Sequence, residues 1–346
     1  MDAGRKGIFL TIVALCLCVV LPADGGVVAR TEGDTSSVRM LCLGDVNLGR
    51  HVGQVILRGD TLYPWRKIRD TLRRYDVVFA NLESNLSDQH GKTEDPASNV
   101  VFTGPPAGAA SLREGGITVV STANNHALDF GSGSVQQTCA FLDEAGIAHA
   151  GSSADSSGVY RPATFTSGGI RFALFACTAL MNGARNDSWS RWVAAEDTGA
   201  IFPRIRLLRD SVDVVIVSIH GGTEYGKSPA PEIVQFAHEA VDAGADIVLG
   251  HHPHVPYAVE TWHGGVIAPS LGNCVFKQPF EYWTQRSFAL SLEFSRRGSG
   301  AIEIAVRTLP LRADYQPWFL APGPEYQTVM KRVGSIRNPV FAKRRS

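Results

Sequence analysis

The chain is expected to fold as an α/β layered protein, built either on one mixed sheet or as a two-sheet sandwich covered by helices. Two observations predict this. In the first two-thirds, apolar runs of strand length alternate with amphipathic runs of helix length. In the last third, strand-like runs follow one another across Gly-rich turns. A third observation locates function: polar residues collect at the C-terminal ends of the predicted strands, where open α/β sheets bind ligands. The 346 residues, 44% of them hydrophobic, suffice for one large core. No internal repeat or Pro/Ser linker divides them.

The elements read in order. Val38–Leu43 is a buried strand, and 64–74 a helix with Pro64 in its first turn. Val77–Ala80 is a strand, and the polar stretch 84–99 a surface loop. A short helix over 107–114 stops at Gly115-Gly116. A strand at 117–121 and a helix at 134–145 follow. Strands at 172–176 and 212–219 flank a helix at 201–209. The run 231–243 is helical, with Ile233, Val234, Phe236, Ala237 and Ala240 on one face, and 247–249 is a short strand. Runs at 258–262, 266–269, 288–294 and 302–306 read as antiparallel strands.

The first 29 residues read as an export signal. Arg5 and Lys6 precede an apolar run, Ile8 to Leu21, and small residues follow at Ala23 and Ala29. Retention of that segment as an anchor is the alternative. Lys and Arg (33) balance Asp and Glu (33), so no global charge favours nucleic acid as a partner. The basic end, Lys343-Arg344-Arg345, reads as a solvated terminus. Cys42, Cys139, Cys177 and Cys274 would remain after cleavage; buried thiols are the default, and export would permit one pair.

Five strand ends carry carboxylates, amides or imidazoles. They are Gly44-Asp45, Asn81-Leu82-Glu83, Asn124-Asn125-His126 with Asp129, His220-Gly221-Gly222, and Gly250-His251-His252-Pro253-His254. A lone Asp after a strand is ordinarily a turn or cap residue. Three histidines within four residues, just past a buried strand, are hard to explain by packing. Imidazole with carboxylate and amide oxygen suits first-row transition metals (Mn, Fe or Zn) rather than a Cys-rich structural zinc. Two close cations can activate water and clamp both oxygens of a phosphoryl displacement.

In order along residues 38 to 310, these segments resemble the CapA-type poly-γ-glutamate capsule biosynthesis family. The resemblance is carried by Gly44 to Arg50, Asn81 to Glu83, Ala123 to Asp129, His220 to Tyr225, Gly244 to His254, and Ser270-Leu271-Gly272-Asn273. That family looks like a distant branch of the calcineurin-like metallophosphoesterases. It implies a four-layer α-β-β-α sandwich, with residues 311–346 as a C-terminal extension. It also implies one or two divalent metals on Asp45, Glu83, Asn125, His220, His252 and His254, with His126 as proton donor. His251 would face away along an extended segment and take a supporting place. Arg50 would bind an anionic substrate, cap a helix or pair with a carboxylate. Asp129 would orient His126 or cap the next helix. Glu224 would line the pocket or support it, and Asn81 and Asn124 would stand behind the ligands. Trp189 and Trp192 read as surface loop or lid.

Three departures from the family pattern matter. Gly221 and Cys274 replace bulkier residues, commonly Trp and Phe, which predicts a changed pocket shape. Asn47 replaces the histidine of the D-x-H signature, which predicts one cation weakly held or missing. The implied function is hydrolysis or transfer at a phosphoryl or amide-like centre of an anionic polymer or phosphoester, outside the cytoplasm. The alternatives are a general extracytoplasmic phosphoesterase and a non-catalytic scaffold of a membrane polymer-synthesis complex.

Overall fold

The computed structural model describes residues 37–183, 187–297, 300–336 and 340–342, and Met1. The export signal and the basic end fall outside the described residues. Residues from 35 onward make one compact unit. Among the described residues, no helix is long and apolar enough to cross a membrane.

Two sheets form the centre. One runs in the order 318–319, 302–312, 286–296, 37–46, 77–82, 119–121, 148–150, with 273–275 added to the first strand and 340–341 to 302–312. The other runs 260–262, 265–268, 247–251, 214–220, 170–178, 163–167. Three apolar clusters show how the layers stack. Val38, Met40, Phe79, Ile216, Leu249 and Leu290 belong to the cluster between the sheets. Leu41, Val78 and Ala289 face outward onto Val52, Leu112 and Leu142 of the helices Arg50–Leu57, Gly108–Gly115 and Gly131–Glu144. Val215, Val217 and Val248 face outward onto Ile205, Phe236 and Ala240 of Thr198–Leu208 and Pro231–Ala243. Period-two alternation on doubly covered strands thus produces four layers, α-β-β-α. This settles the open choice in favour of the two-sheet sandwich.

Several element expectations change. The 64–74 helix is a 3₁₀ turn, Tyr63–Trp65, and a single α turn, Arg69–Leu72. The break lets Trp65 bury itself in the outer core while its indole N–H donates to Ser111 Oγ at 3.0 Å. The 84–99 loop is not merely surface: Asn85–Leu86 and Glu94–Asp95 pair with Ser98–Gly104 in a small sheet. Thr138 Oγ1 takes the Leu86 N–H at 2.8 Å and ties that sheet to the neighbouring helix. Gly265–Ala268 pairs antiparallel with Glu260–Trp262 but parallel with Ile247–His251. Residues past 310 are not peripheral to the fold. The strand Ile302–Arg312 crosses that boundary, and Val329 and Val333 of Pro324–Val333 are buried in the inter-sheet core. The four cysteines are buried and unpaired.

Candidate metal centre

Alternation alone would send Asp45 outward with Leu41 and Leu43. A β-bulge reverses this: Cys42 pairs with Phe79, but Asp45 pairs with Asn81, so three steps on one strand match two on the other. Asp45 therefore turns toward the inter-sheet space. There it meets Asn81 and Glu83, which continue the inward set Val77, Phe79. From the second sheet, His220 and His251 pair in register at adjacent strand ends. All are fully buried.

The contacts divide into two groups flanking Glu83. On one side, His254 Nδ1–H is shared between Asp45 Oδ2 at 3.1 Å and Asn273 Oδ1 at 2.9 Å. That leaves the Nε2 lone pair 3.5 Å from Glu83 Oε1, which has no hydrogen-bond donor of its own. On the other side, His220 Nε2 lies 2.8 Å from Asn125 Oδ1, and the His220 and His252 rings are 5.0 Å apart. Asn81 Nδ2 links the two by approaching Asp45 Oδ1 (2.9 Å), Glu83 Oε2 (3.4 Å) and His220 Nδ1 (3.3 Å).

The electrostatics of the group suit a cation. Burial, and then the Asp45 carboxylate, push Glu83 well above the ordinary carboxylate range. Burial also opposes ionisation of Asp45, but the adjacent His251 and His254 imidazoles outweigh it and hold Asp45 well below its usual value. Burial pushes His220 well down, and pushes His252, beside His254, down to about 3. Neutral imidazoles and paired carboxylates are what a cation requires. Glu83 Oε1, Asn81 Oδ1 and His252 Nδ1 are buried without hydrogen-bond partners. Asp45, Glu83 and His220 each offer a ligand atom, all within 4.8 Å of one another. This buried group could hold a metal ion.

The backbone is bent to serve these side chains. His252 (φ 94°), His254 (φ 58°), Tyr225 (φ 59°) and Arg50 (φ 51°) are non-glycine residues in left-handed territory, which costs energy. Holding both His252 and His254 against the opposite sheet requires this hooked geometry rather than an extended strand.

The remaining expected residues fall as follows. His126 Nδ1 meets Asp129 Oδ2 at 2.9 Å, and the ring stacks on Phe102 at 4.2 Å. Asp129 orients His126 rather than capping a helix, because the helix Gly131–Glu144 begins at Phe130 without a side-chain cap. Asn124 is structural, donating to Leu82 O at 2.8 Å and accepting the His126 N–H at 3.1 Å. His251 does not turn away: its Nδ1 lies 3.3 Å from Asp45 Oδ1, poorly aligned for a hydrogen bond. Glu224 is exposed. Burial and then Glu224 push the Tyr225 hydroxyl up to about 12, and that ring lies 6.0 Å from His254. Trp189 and Trp192 are half-buried against the inter-sheet core and, with Asn182, line a recess.

The departures resolve physically. A Cβ on Gly221 would lie 2.7 Å from Ile233 and 2.8 Å from Ala179, so other side chains already fill that space and no enlarged pocket results. Cys274 packs its side chain in the outer core. Asn47 Oδ1 accepts the Gly49 N–H at 2.7 Å and shapes a turn. The Asp45 side of the centre thus has fewer ligand candidates.

Two contributors had been given no role from the sequence, although Asn273 stands in one of the segments that carry the family resemblance. Asn273 orients His254 and is itself fixed by donating to Gln278 Oε1 (2.9 Å) and Thr284 O (3.0 Å). Its signal was its place in Gly272-Asn273 after a strand. Asn182 accepts from Asn125 Nδ2 at 3.1 Å and sits 3.3 Å from His126 Nδ1; nothing in its local sequence marks it. Asn273→Ala is expected to weaken metal binding by about 10- to 100-fold, as loss of a ligand-orienting partner does. Unchanged affinity in a competitive chelator titration would remove Asn273 from the centre.

Fold and site together define a two-sheet α/β protein with a buried carboxylate–histidine centre competent to bind metal. The chain belongs to the bacterial capsule synthesis protein family PGA_cap, whose model matches residues 39–278. It is 28% identical to the capsule biosynthesis protein CapA of Bacillus anthracis, over 88% of this chain and 76% of that one. It is likewise 28% identical to the PGA biosynthesis protein CapA of Bacillus subtilis, over 76% and 69%. A Mycobacterium tuberculosis protein named as a probable polyglutamine synthesis accessory protein is 32% identical over 67% and 64%. Among solved structures, a hypothetical protein from Thermus thermophilus aligns with TM-score 0.44 and 19% identity, over 79% of this chain and 99% of that one.

Proposed function

We propose that the protein is an exported, metal-dependent hydrolase acting in the production of poly-γ-glutamate or a related surface polymer. The observation that carries the metal-dependent part is the buried convergence of Asp45, Glu83 and His220, with partnerless polar atoms around them. Export rests on the N-terminal sequence pattern alone. Asp45, Glu83 and His254 would hold a cation on one side, and Glu83, Asn125, His220 and His252 one on the other. A divalent transition metal there would supply Lewis acidity toward water and toward a phosphoryl or amide carbonyl oxygen.

The protein's own part is proton handling and positioning. Asp129 engages His126 Nδ1, so Nε2 is the atom that can deliver a proton to a leaving group. Phe102 stacks on that ring and fixes its plane.

The test is elemental analysis of purified protein beside Asp45→Ala and His252→Ala, followed by turnover assays on γ-glutamyl peptides and generic phosphoesters. Bound transition metal in the wild type, lost in both variants, is expected. Its absence under conditions that preserve weak sites would sink the reading. Turnover of phosphoesters alone would indicate a general extracytoplasmic phosphoesterase. His126→Gln is expected to keep the metal and lose about 10²- to 10⁴-fold in rate, with Asp129→Asn a smaller loss. Equal rates in His126→Gln and wild type would exclude His126 as the acid.

A further inference from the structure

Arg50 is a cation in an unusual place. It follows the bulged strand and opens the helix Arg50–Leu57 at φ 51°. Its backbone is clamped by the small sheet: Arg50 N–H donates to Thr93 O at 2.9 Å, and Thr93 Oγ1 donates to Arg50 O at 2.9 Å. One guanidinium nitrogen donates to Asn99 O. The group lies 4.4 Å from the Phe102 ring centre and 6.0 Å from that of Phe276. Each ring also touches a site imidazole, Phe102 meeting His126 at 4.2 Å and Phe276 meeting His254 at 5.0 Å.

The side chain is half-buried, and Nε is fully buried without a partner. Glu94, Asp129 and Glu83 attract it from a distance, yet no carboxylate among the described residues lies within ion-pair reach. Lys277 lines the same recess but is paired with Asp314 at 3.5 Å. A guanidinium held rigid on two aromatic faces, with donors left over, suits a planar or tetrahedral oxyanion.

From this arrangement we infer that Arg50 binds an oxyanion of the substrate beside the metal centre, across the aromatic wall of Phe102 and Phe276. The inference rests on the proposed reading of the centre as a substrate site. The anion is either a phosphoryl group or the free α-carboxylate of a γ-glutamyl chain. In both cases Arg50 sets which end of the substrate faces His126.

Calorimetric titration of the full-length protein with inorganic phosphate and, separately, with γ-glutamyl tetrapeptide tests this. Arg50→Ala and Arg50→Gly are expected to weaken one or both probes by about 10- to 100-fold, the effect of losing a charged hydrogen-bonding group. Arg50→Lys should recover part of the loss, because it restores the charge but not the fork. Arg50→Gly also relieves the left-handed backbone, so its retained melting temperature separates lost binding from lost folding. Loss confined to phosphate assigns a phosphoryl group, and loss confined to the peptide assigns the carboxylate. Binding of both probes within twofold of wild type in Arg50→Ala and Arg50→Gly overturns the inference, as does a wild type that binds neither. Metal content measured on the same samples keeps this result apart from the metal reading, which fails only if the wild type holds no metal.

Discussion

Glu83→Gln is expected to stabilise the metal-free protein while weakening its hold on metal. Glu83 is fully buried beside Asp45, and its Oε1 faces the His254 Nε2 lone pair with no donor between them. Without a cation, that arrangement places two carboxyl groups in one dry space. Burial and the Asp45 carboxylate make ionised Glu83 costly, so folding near neutral pH must bear that charge or take up a proton; Gln does neither and can donate an N–H toward Asp45 or His254. Avoiding that cost is expected to gain about 1–3 kcal/mol, at about 1.4 kcal/mol for each unit by which the carboxyl is raised. With metal present the sign reverses, because the carboxylate flanked by both halves of the centre is gone. Affinity is expected to fall by at least about 100-fold, the upper end of the loss produced by a merely supporting contact. Melting with and without chelator measures both effects. In wild type, added metal should raise the transition through linkage, and in Glu83→Gln that rise should vanish. A variant that melts lower than wild type in chelator, or still shifts with metal, contradicts the assignment of Glu83 as the shared carboxylate.

Gly44→Ala is expected to be among the most destabilising single-methyl changes in the chain. The bulge that turns Asp45 inward brings Gly44 against the backbone of the 269–273 segment. A Cβ there would sit 1.8 Å from Gly272 O and 2.8 Å from its carbonyl carbon. Both neighbours are main chain and cannot swing aside. The Asp45 N–H also donates to Gly272 O at 3.0 Å, so relief by separating the strands would break that bond and move the ligand. Overpacking of a fixed contact costs about 3 kcal/mol. The variant should show a lowered denaturation midpoint and reduced metal content together. Gly133→Ala is the control. It lies in the helix Gly131–Glu144, with open space where the methyl would go, and should stabilise by about 0.5–1 kcal/mol. Comparable midpoints for the two variants would show that the close approach at Gly44 is not needed.

Much of the architecture was legible. Buried strands such as 214–220 and the helix 231–243 declare themselves through runs of apolar residues and 3.6-residue spacing. Clustering of Asp45, Glu83, Asn125, His126, His220, His252 and His254 was legible as well, because each stands just after such a run. Illegible features depend on neighbours distant in sequence. The 84–104 segment looks polar, yet Phe102 within it forms the wall of the site. Gly221 looks like lost bulk until Ile233 is seen filling the gap.

The sequence by itself determined which strands exist, that polar side chains gather at their C-terminal ends, and that imidazoles and carboxylates suited to metal are among them. These are local properties, written in side-chain type and in periods of two and 3.6. Only the tertiary structure decided which way each of these side chains points. The bulge at Gly44 turns Asp45 from the outer face to the inner, left-handed turns hook His252 and His254 across to the first sheet, and Asn273 settles which nitrogen of His254 keeps its proton. Each of these depends on neighbours distant in the chain, and no stretch of single sequence contains that information.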